Sequence, residues 1–326
     1  MSHVICFGEA LIDFLAGPPG AAGEARTFRQ FAGGAPANAA VAVARQGGAC
    51  EFVGMLAEDM FGDFLLHSLR EAGAGTRFVR HTGNAPTALA FVSLDAHGER
   101  SFSFYRPPAA DLLFAETDFD AACFTDACVF HVCSNSLTED AIAAATLTGM
   151  QRARAAGALA SIDLNLRPAL WAGGTPVRTR LWQALEAADL VKLSRDELDY
   201  LREDARHTEA DIVARLLRHA RLVLVTDGPH PVAWQTRDNS GTVAPPRVQA
   251  VDTTAAGDAF IGGLLSQLQR AGVDAAGFDA FLAAGKPLQQ ALRHAAASSA
   301  LAVTRHGAFA ALPTYAETVA LLNDTR

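Results

Sequence analysis

Short apolar runs recur along the chain at 4–7, 52–54, 129–132, 160–163, 190–193 and 222–225. They are continuous rather than alternating, the pattern of strands buried on both faces of a parallel sheet. Between them, apolar residues at helical spacing predict helices over 37–45, 61–71, 139–155, 178–187 and 210–218. Strand and helix alternating this often predict an α/β domain. Two segments, 12–31 and 87–106, break the rhythm. In the second, 87–94 and 101–105 read as strands either side of a turn at Ala96-His97-Gly98-Glu99. Serines alternate with phenylalanines in Ser101-Phe102-Ser103-Phe104, as on a half-exposed antiparallel strand. A small sheet is not stable alone, so it must cover something. The expectation is one domain over 1–326 with a lid from about 11–32 and 86–107. The same sheet also suits dimerisation, and the two uses do not exclude each other.

Polar residues gather where the apolar runs end: Gly8 and Glu9, Ser134 and Asn135, Asp163 and Asn165, Lys192 and Ser194, Thr226 and Asp227, then Asp252. In open α/β sheets, ligands bind beyond the carboxyl ends of the strands. The pattern therefore predicts a site on that edge, with the lid excluding competing water.

The residues at 248–251 read as a strand end, and 259–270 as a helix with Phe260, Leu264, Leu265 and Leu268 on one side. Between them lies Asp252-Thr253-Thr254-Ala255-Ala256-Gly257-Asp258. Small residues let a ligand approach the backbone, and the first N–H groups of the helix attract an anion such as phosphate. Asp258 has two readings: a helix cap, or a base for a nucleophile attacking that phosphate. A second small-residue loop, Gly33-Gly34-Ala35-Pro36-Ala37-Asn38, also leads into a helix. It is either an ordinary helix start or a loop whose backbone and Asn38 meet a polyhydroxyl ligand.

The net charge of −8 over 326 residues opposes a nucleic-acid partner, which requires a basic face. The start of the chain runs straight into a strand and carries no signal-peptide pattern. The apolar stretch 295–303 is too short for a bilayer, and Arg293, His294 and Arg305 flank it. Cys6, Cys50, Cys123, Cys128 and Cys133 are odd in number, lack C-x-x-C spacing and read as buried free thiols. A cytoplasmic protein without a membrane partner is expected.

Together and in this order, the two small-residue loops resemble the signatures of the PfkB (ribokinase-like) carbohydrate kinases, and the resemblance spans the chain. Asp163-Leu164-Asn165-Leu166-Arg167-Pro168 with Leu170-Trp171, and Phe102-Ser103-Phe104-Tyr105-Arg106 with Ala110-Asp111, are similar to the bacterial and plant fructokinase branch. Lys192-Leu193-Ser194-Arg195-Asp196-Glu197 and Val225-Thr226-Asp227-Gly228 fall at family positions.

The resemblance implies a three-layer ribokinase-like α/β fold with a small β lid, and an ATP-dependent sugar kinase. The expected reaction is ATP plus D-fructose giving ADP and fructose 6-phosphate. It implies Asp258 as general base, and Ala255, Ala256 and Gly257 with the Asp258 N–H as anion hole. Asp13, Gly33, Gly34 and Asn38 hold the sugar, Tyr105 and Arg106 close over it, and Arg167 lies near the transferred phosphate. Asn165, Lys192, Ser194, Thr226 and Gly228 serve the nucleotide, as does the small-residue helix around His294. Glu197 meets Mg²⁺ through water, and Asp252 and Thr254 lie near a monovalent cation such as K⁺. A homodimer through the lid is expected. Three features depart from the family: Ala255 where glycine is usual, Ser194 where asparagine is frequent, and Pro229-His230-Pro231 after Gly228. An alanine at a positive φ costs on the order of 1 kcal/mol. A 2-keto-3-deoxygluconate kinase is the alternative, because Tyr105, Arg106 and Arg167 also suit a carboxylate. A non-catalytic sugar or nucleotide sensor is a further one.

Overall fold

The apolar runs are strands in the computed structural model, which describes residues 2–17, 25–94, 100–171, 173, 175–202 and 206–324. The turn expected at Ala96-His97-Gly98-Glu99 lies outside the described residues, as does the middle of the 12–31 segment. In chain order the strands are β1 (His3–Phe7), β2 (Leu11–Ala16), β3 (Phe28–Gly33), β4 (Cys50–Val53), β5 (Met55–Ala57), β6 (Arg80–Thr82), β7 (Leu89–Leu94), β8 (Arg100–Tyr105), β9 (Ala127–Cys133), β10 (Leu159–Asp163), β11 (Leu190–Ser194), β12 (Leu222–Thr226), β13 (Val232–Gln235) and β14 (Ser240–Val243). The central sheet runs β14-β13-β12-β11-β10-β9-β1-β4. The six strands expected from the apolar runs pair in parallel. The short β13 and β14 add an antiparallel edge.

The continuous runs follow from burial on both faces. Val4 and Cys6 pack into one core, Ile5 and Phe7 into the other; Leu222 and Leu224 oppose Val223 and Val225 in the same way. The helices are α1 (Ala35–Arg45), α2 (Met60–Glu71), α3 (Asp140–Ala155), α4 (Val177–Ala187), α5 (Arg195–Leu201), α6 (Glu209–Leu216), α7 (Ala256–Arg270), α8 (Phe278–Ala283), α9 (Lys286–Ala302) and α10 (Tyr315–Asp324). One core takes Ile142 and Met150 of α3, Leu181 and Leu185 of α4 and Ile212 of α6. The other takes Val43 of α1, Phe260 and Leu264 of α7 and Leu292 of α9. This is a three-layer α/β fold. Each large apolar side chain so buried is worth about 1.5–3 kcal/mol.

Close helix packing fixes the start of α7. A methyl group at Gly262 would overlap Ala42 of α1, and one at Gly263 would stand 3.2 Å from the Ala295 Cα of α9. The Ser299 hydroxyl donates to the Ala256 carbonyl at 2.9 Å. The strand expected at 248–251 is absent. Val251 and Asp252 instead donate their N–H groups to the Val303 carbonyl, at 2.7 and 3.1 Å. Pro245 and Pro246 precede this stretch and supply no N–H for a ladder.

The smaller sheet runs β3-β2-β7-β8. Its outer pairs are antiparallel and β2–β7 is parallel.

Candidate active site

A cavity of about 430 Å³ opens at the carboxyl edge of the central sheet. The strand ends supply Glu9, Asn135 and Asn165, and the small sheet supplies Leu11, Asp13 and Phe104. Gly34 and Asn38 come from the start of α1, 253–258 from the start of α7, and Arg167 from the loop after β10. A depression of about 800 Å³ between α4 and α6 is larger. It contains none of these strand-end residues, so the smaller cavity is the candidate site.

Asp258 sits in the first turn of α7 and is 7% exposed. Asn38 Nδ2 donates to its Oδ2 at 2.7 Å. Burial, then the negative charge of Asp163, push the Asp258 carboxyl up to about 7; the Asn38 hydrogen bond, Lys192 and Arg167 pull it back. Such a carboxylate takes a proton near neutral pH. Asn38 Oδ1 is buried without a protein partner, an acceptor suited to a ligand hydroxyl.

Ala255 has φ 58° and ψ 11°, so the left-handed region is required where the sequence places alanine. This bend aims the start of α7 at the cavity. Ala259 donates to the Ala255 carbonyl at 2.8 Å, closing the first helical turn. The Gly257 and Asp258 N–H groups are therefore at the helix start, where an anion is favoured.

Lys192 donates to both Asp163 oxygens, at 2.9 and 2.8 Å, in a pair 6% and 3% exposed. Burial lowers the Lys192 pKa, but Asp163 and Glu197 outweigh it and leave it raised. The ammonium lies under Gly257, where a Cβ would stand 2.8 Å from it. Glu197 accepts from the Leu166 and Ser194 N–H groups, both at 2.7 Å, and with the Ser194 hydroxyl caps α5. Each of its oxygens retains one lone pair. Among the described residues, no group of three or more His, Cys, Asp or Glu could hold a metal.

Asp13 and Gly34 are at the cavity, while Gly33 lies behind Asp13, whose carboxylate a methyl there would overlap. Asn165 lines the cavity at φ 39°, a positive value that asparagine tolerates. Arg167 is exposed at the rim. Ser194 and Thr226 end neighbouring strands in register, and Gly228 follows at φ 51° with open space where a Cβ would stand. This is a lateral extension of the same edge. Asp252 accepts from Thr254 N at 2.8 Å and Gly307 N at 3.1 Å, with Thr254 at the cavity.

The family model for pfkB family carbohydrate kinases matches residues 1–315. Fructokinase-1 of Oryza sativa subsp. japonica is 41% identical over 98% of this chain and 97% of its own. The solved fructokinase of Xylella fastidiosa with bound ATP is 52% identical, with TM-score 0.95 over 99% of this chain and 98% of its own. The Vibrio cholerae O395 fructokinase in its fructose, ADP and calcium form is 31% identical, with TM-score 0.85 over 99% of each chain. The chain belongs to the pfkB family of carbohydrate kinases.

Three expected site residues of this PfkB kinase do not line the cavity. Arg106 does not close over the cavity. It is 2% exposed, with Nε and Nη2 on Asp111 Oδ2 at 2.9 and 2.6 Å and Nη1 on the Asn135 carbonyl at 2.8 Å. Tyr105 is 66% exposed and stands edge-on to Phe91. For Tyr105 the reason is strand parity: adjacent residues of β8 face opposite ways, and Phe104 takes the cavity side. Arg106 follows the end of β8 and is held behind the cavity wall by Asp111 and the Asn135 carbonyl. His294 is turned from the site, its Nε2 2.7 Å from Gln46 Oε1 and its ring 5.3 Å from Tyr315. Burial pushes its pKa down to about 4.

Glu9 and Asn135 line the cavity although only their strand-end position marked them in the sequence, and Asp163, which also opens the Asp163–Pro168 motif, lies beneath Gly257. Asn135 Nδ2 donates to Glu9 Oε1 at 2.9 Å, and Asn135 Oδ1 is buried without a protein partner. Burial raises the Glu9 pKa, against Arg106 and the Asn135 hydrogen bond.

Proposed function

We propose that this PfkB kinase is an ATP-dependent fructokinase, transferring the γ-phosphoryl group of ATP to the terminal hydroxyl of D-fructose. The observation that carries the reading is Asp258: buried, held by Asn38, raised to about 7, and placed beside the N–H groups that start α7. Asn38 occupies Oδ2, so Oδ1 is left to take the hydroxyl proton. The freed oxygen attacks the γ-phosphorus as the bond to ADP breaks. The Gly257 and Asp258 N–H groups then meet the charge on the transferred group. Asp13, Gly34 and Asn38 hold the sugar, and Arg167 meets the phosphoryl charge from the rim. The lateral extension past Ser194, Thr226 and Gly228 takes the nucleotide.

A neutral sugar is favoured over a sugar acid. The walls where sugar binds carry Glu9, Asp13, Asn38 and Asn135, all able to accept from hydroxyls. Arg106, one of the two arginines that could meet a sugar acid, is committed to Asp111.

Mg²⁺ at this edge would supply charge neutralisation for the nucleotide phosphates. Glu197 would meet it through water, with Asn165 nearby. A monovalent cation such as K⁺ at the Asp252–Thr254 turn belongs to this reading, supported by the buried Asp252 carboxylate. The small sheet acts as lid and as homodimer contact; Phe14, Phe28, Phe91 and Tyr105 form linked ring contacts on it, and Phe28 is 40% exposed. The cytoplasm is the proposed compartment, since five buried free thiols fit a reducing environment. No helix among the described residues is long and apolar enough to cross a membrane.

The test is ADP release with ATP and Mg²⁺ across fructose, mannose, glucose, ribose, 2-keto-3-deoxygluconate and a nucleoside. Turnover highest with fructose and lost in Asp258→Asn supports the proposal. Turnover with 2-keto-3-deoxygluconate alone moves the substrate, and nucleotide binding without any turnover overturns the kinase reading.

A further inference from the structure

The Asp163–Lys192 pair lies under the reacting loop. Asp163 closes β10 and Lys192 sits beside it in β11, paired in register. The ammonium donates to both carboxylate oxygens, at 2.9 and 2.8 Å. A buried ion pair adds little net stability over apolar residues of similar size, because desolvation offsets the attraction. Its position is more informative. A Cβ on Gly257 would stand 2.8 Å from Lys192 Nζ and 3.6 Å from Asp163 Oδ2. Both charges therefore touch the underside of the loop whose N–H groups open into the cavity. Lys192 is attracted by Asp163, Glu197 and Asp258, so its anchoring to Asp163 selects one of several carboxylates.

We propose that Asp163 is a positioning residue for phosphoryl transfer: it anchors Lys192 beneath Gly257, setting a positive charge under the anion hole and its own negative charge beside Asp258. The proposal rests on Asp258 being the base. The charges that face Asp258 are Asp163 from β10, Lys192 from β11 and Arg167 from the loop after β10. The Cys133 thiol of β9 faces it too, held in its neutral form by burial. Asp163 favours the protonated carboxyl, whereas Lys192 and Arg167 favour the ionised one. Removing the Asp163 charge while Lys192 stays charged must make Asp258 ionise at lower pH. Removing the anchor must also let the ammonium leave its place beneath Gly257.

The experiment is the pH profile of kcat/KM for fructose at saturating ATP and Mg²⁺, in the full chain, for Asp163→Asn, Asp163→Ser and Asp163→Glu. The two neutral variants move the acid limb down by about one pH unit. Their plateau kcat falls about a hundredfold, the lower end for a lost electrostatic group at an anion hole. Asp163→Glu keeps the limb within about 0.3 unit of the parent, because the charge is retained. A pair that only supports the fold lowers melting temperature and turnover at every pH and leaves the limb in place. An unmoved limb in a folded neutral variant overturns the proposal, and Asp163→Ser decides if Asp163→Asn does not fold. Asp258→Asn run alongside separates the two readings. Activity retained there overturns the base assignment, whereas its loss with an unmoved Asp163 limb overturns only this inference.

Discussion

Replacing Asp258 with asparagine should raise stability and abolish catalysis, and the stability gain should depend on pH. The Asp258 carboxyl is raised from 3.8 to about 7 in the fold. The native state therefore binds a proton more tightly than the unfolded chain, and between these values stability falls as pH rises. The loss is absent below about pH 4, where both states are protonated, and complete above about pH 7. Three units at about 1.36 kcal/mol each set a ceiling of about 4 kcal/mol. Asparagine has nearly the same shape, is never charged, and can still accept from Asn38. Unfolding entropy for 326 residues is about 0.7 kcal/mol per kelvin, so the ceiling corresponds to about 6 °C. Ligand-free melting curves of parent and variant at pH 5 and pH 8 read this directly. The variant should melt higher by several degrees at pH 8 and by much less at pH 5, while phosphoryl transfer falls about 10²–10⁴-fold. A melting difference that is the same at both pH values, or a variant less stable at pH 8, would refute the argument.

The left-handed φ of 58° at Ala255 predicts that Ala255→Gly stabilises by about 1 kcal/mol, read as a rise of about 1.5 °C in melting temperature. Gly257→Ala would bring a methyl group to 2.8 Å from Lys192 Nζ and break its pairing with Asp163, so kcat should fall at least about tenfold. Arg167→Ala should change stability by less than about 0.5 kcal/mol, since the residue is exposed, yet lower kcat and move the acid limb to higher pH. Arg106→Met should leave Asp111 buried without its partner and destabilise by about 3–5 kcal/mol in chemical denaturation, whatever sugar is bound.

Much of the frame was legible in the residues. A strand buried on both faces has to be apolar throughout, so six parallel strands were readable from continuous runs such as 222–225. The loops at Gly33-Gly34 and Ala255–Asp258 were legible because small residues before a helix leave backbone N–H groups accessible. The edge hairpin β13–β14 was not, because its residues number four each and mix burial with exposure. The placement of Tyr105 was not legible because the sequence shows a strand's alternation but not which parity faces the cavity, and that of Arg106 because its buried partner Asp111 is a tertiary contact. The pairing of Leu89 with Tyr105 sets that parity.

The chain by itself determined the layered α/β plan, the polar edge and Asp258 between two small-residue loops, since these follow from local periodicity and residue chemistry. Tertiary structure decided the rest. It set the left-handed turn at Ala255, committed Arg106 and His294 to structural partners and placed Lys192 on Asp163. It also raised Asp258 toward neutrality, because burial and opposing charges exist only once distant strands have been brought together.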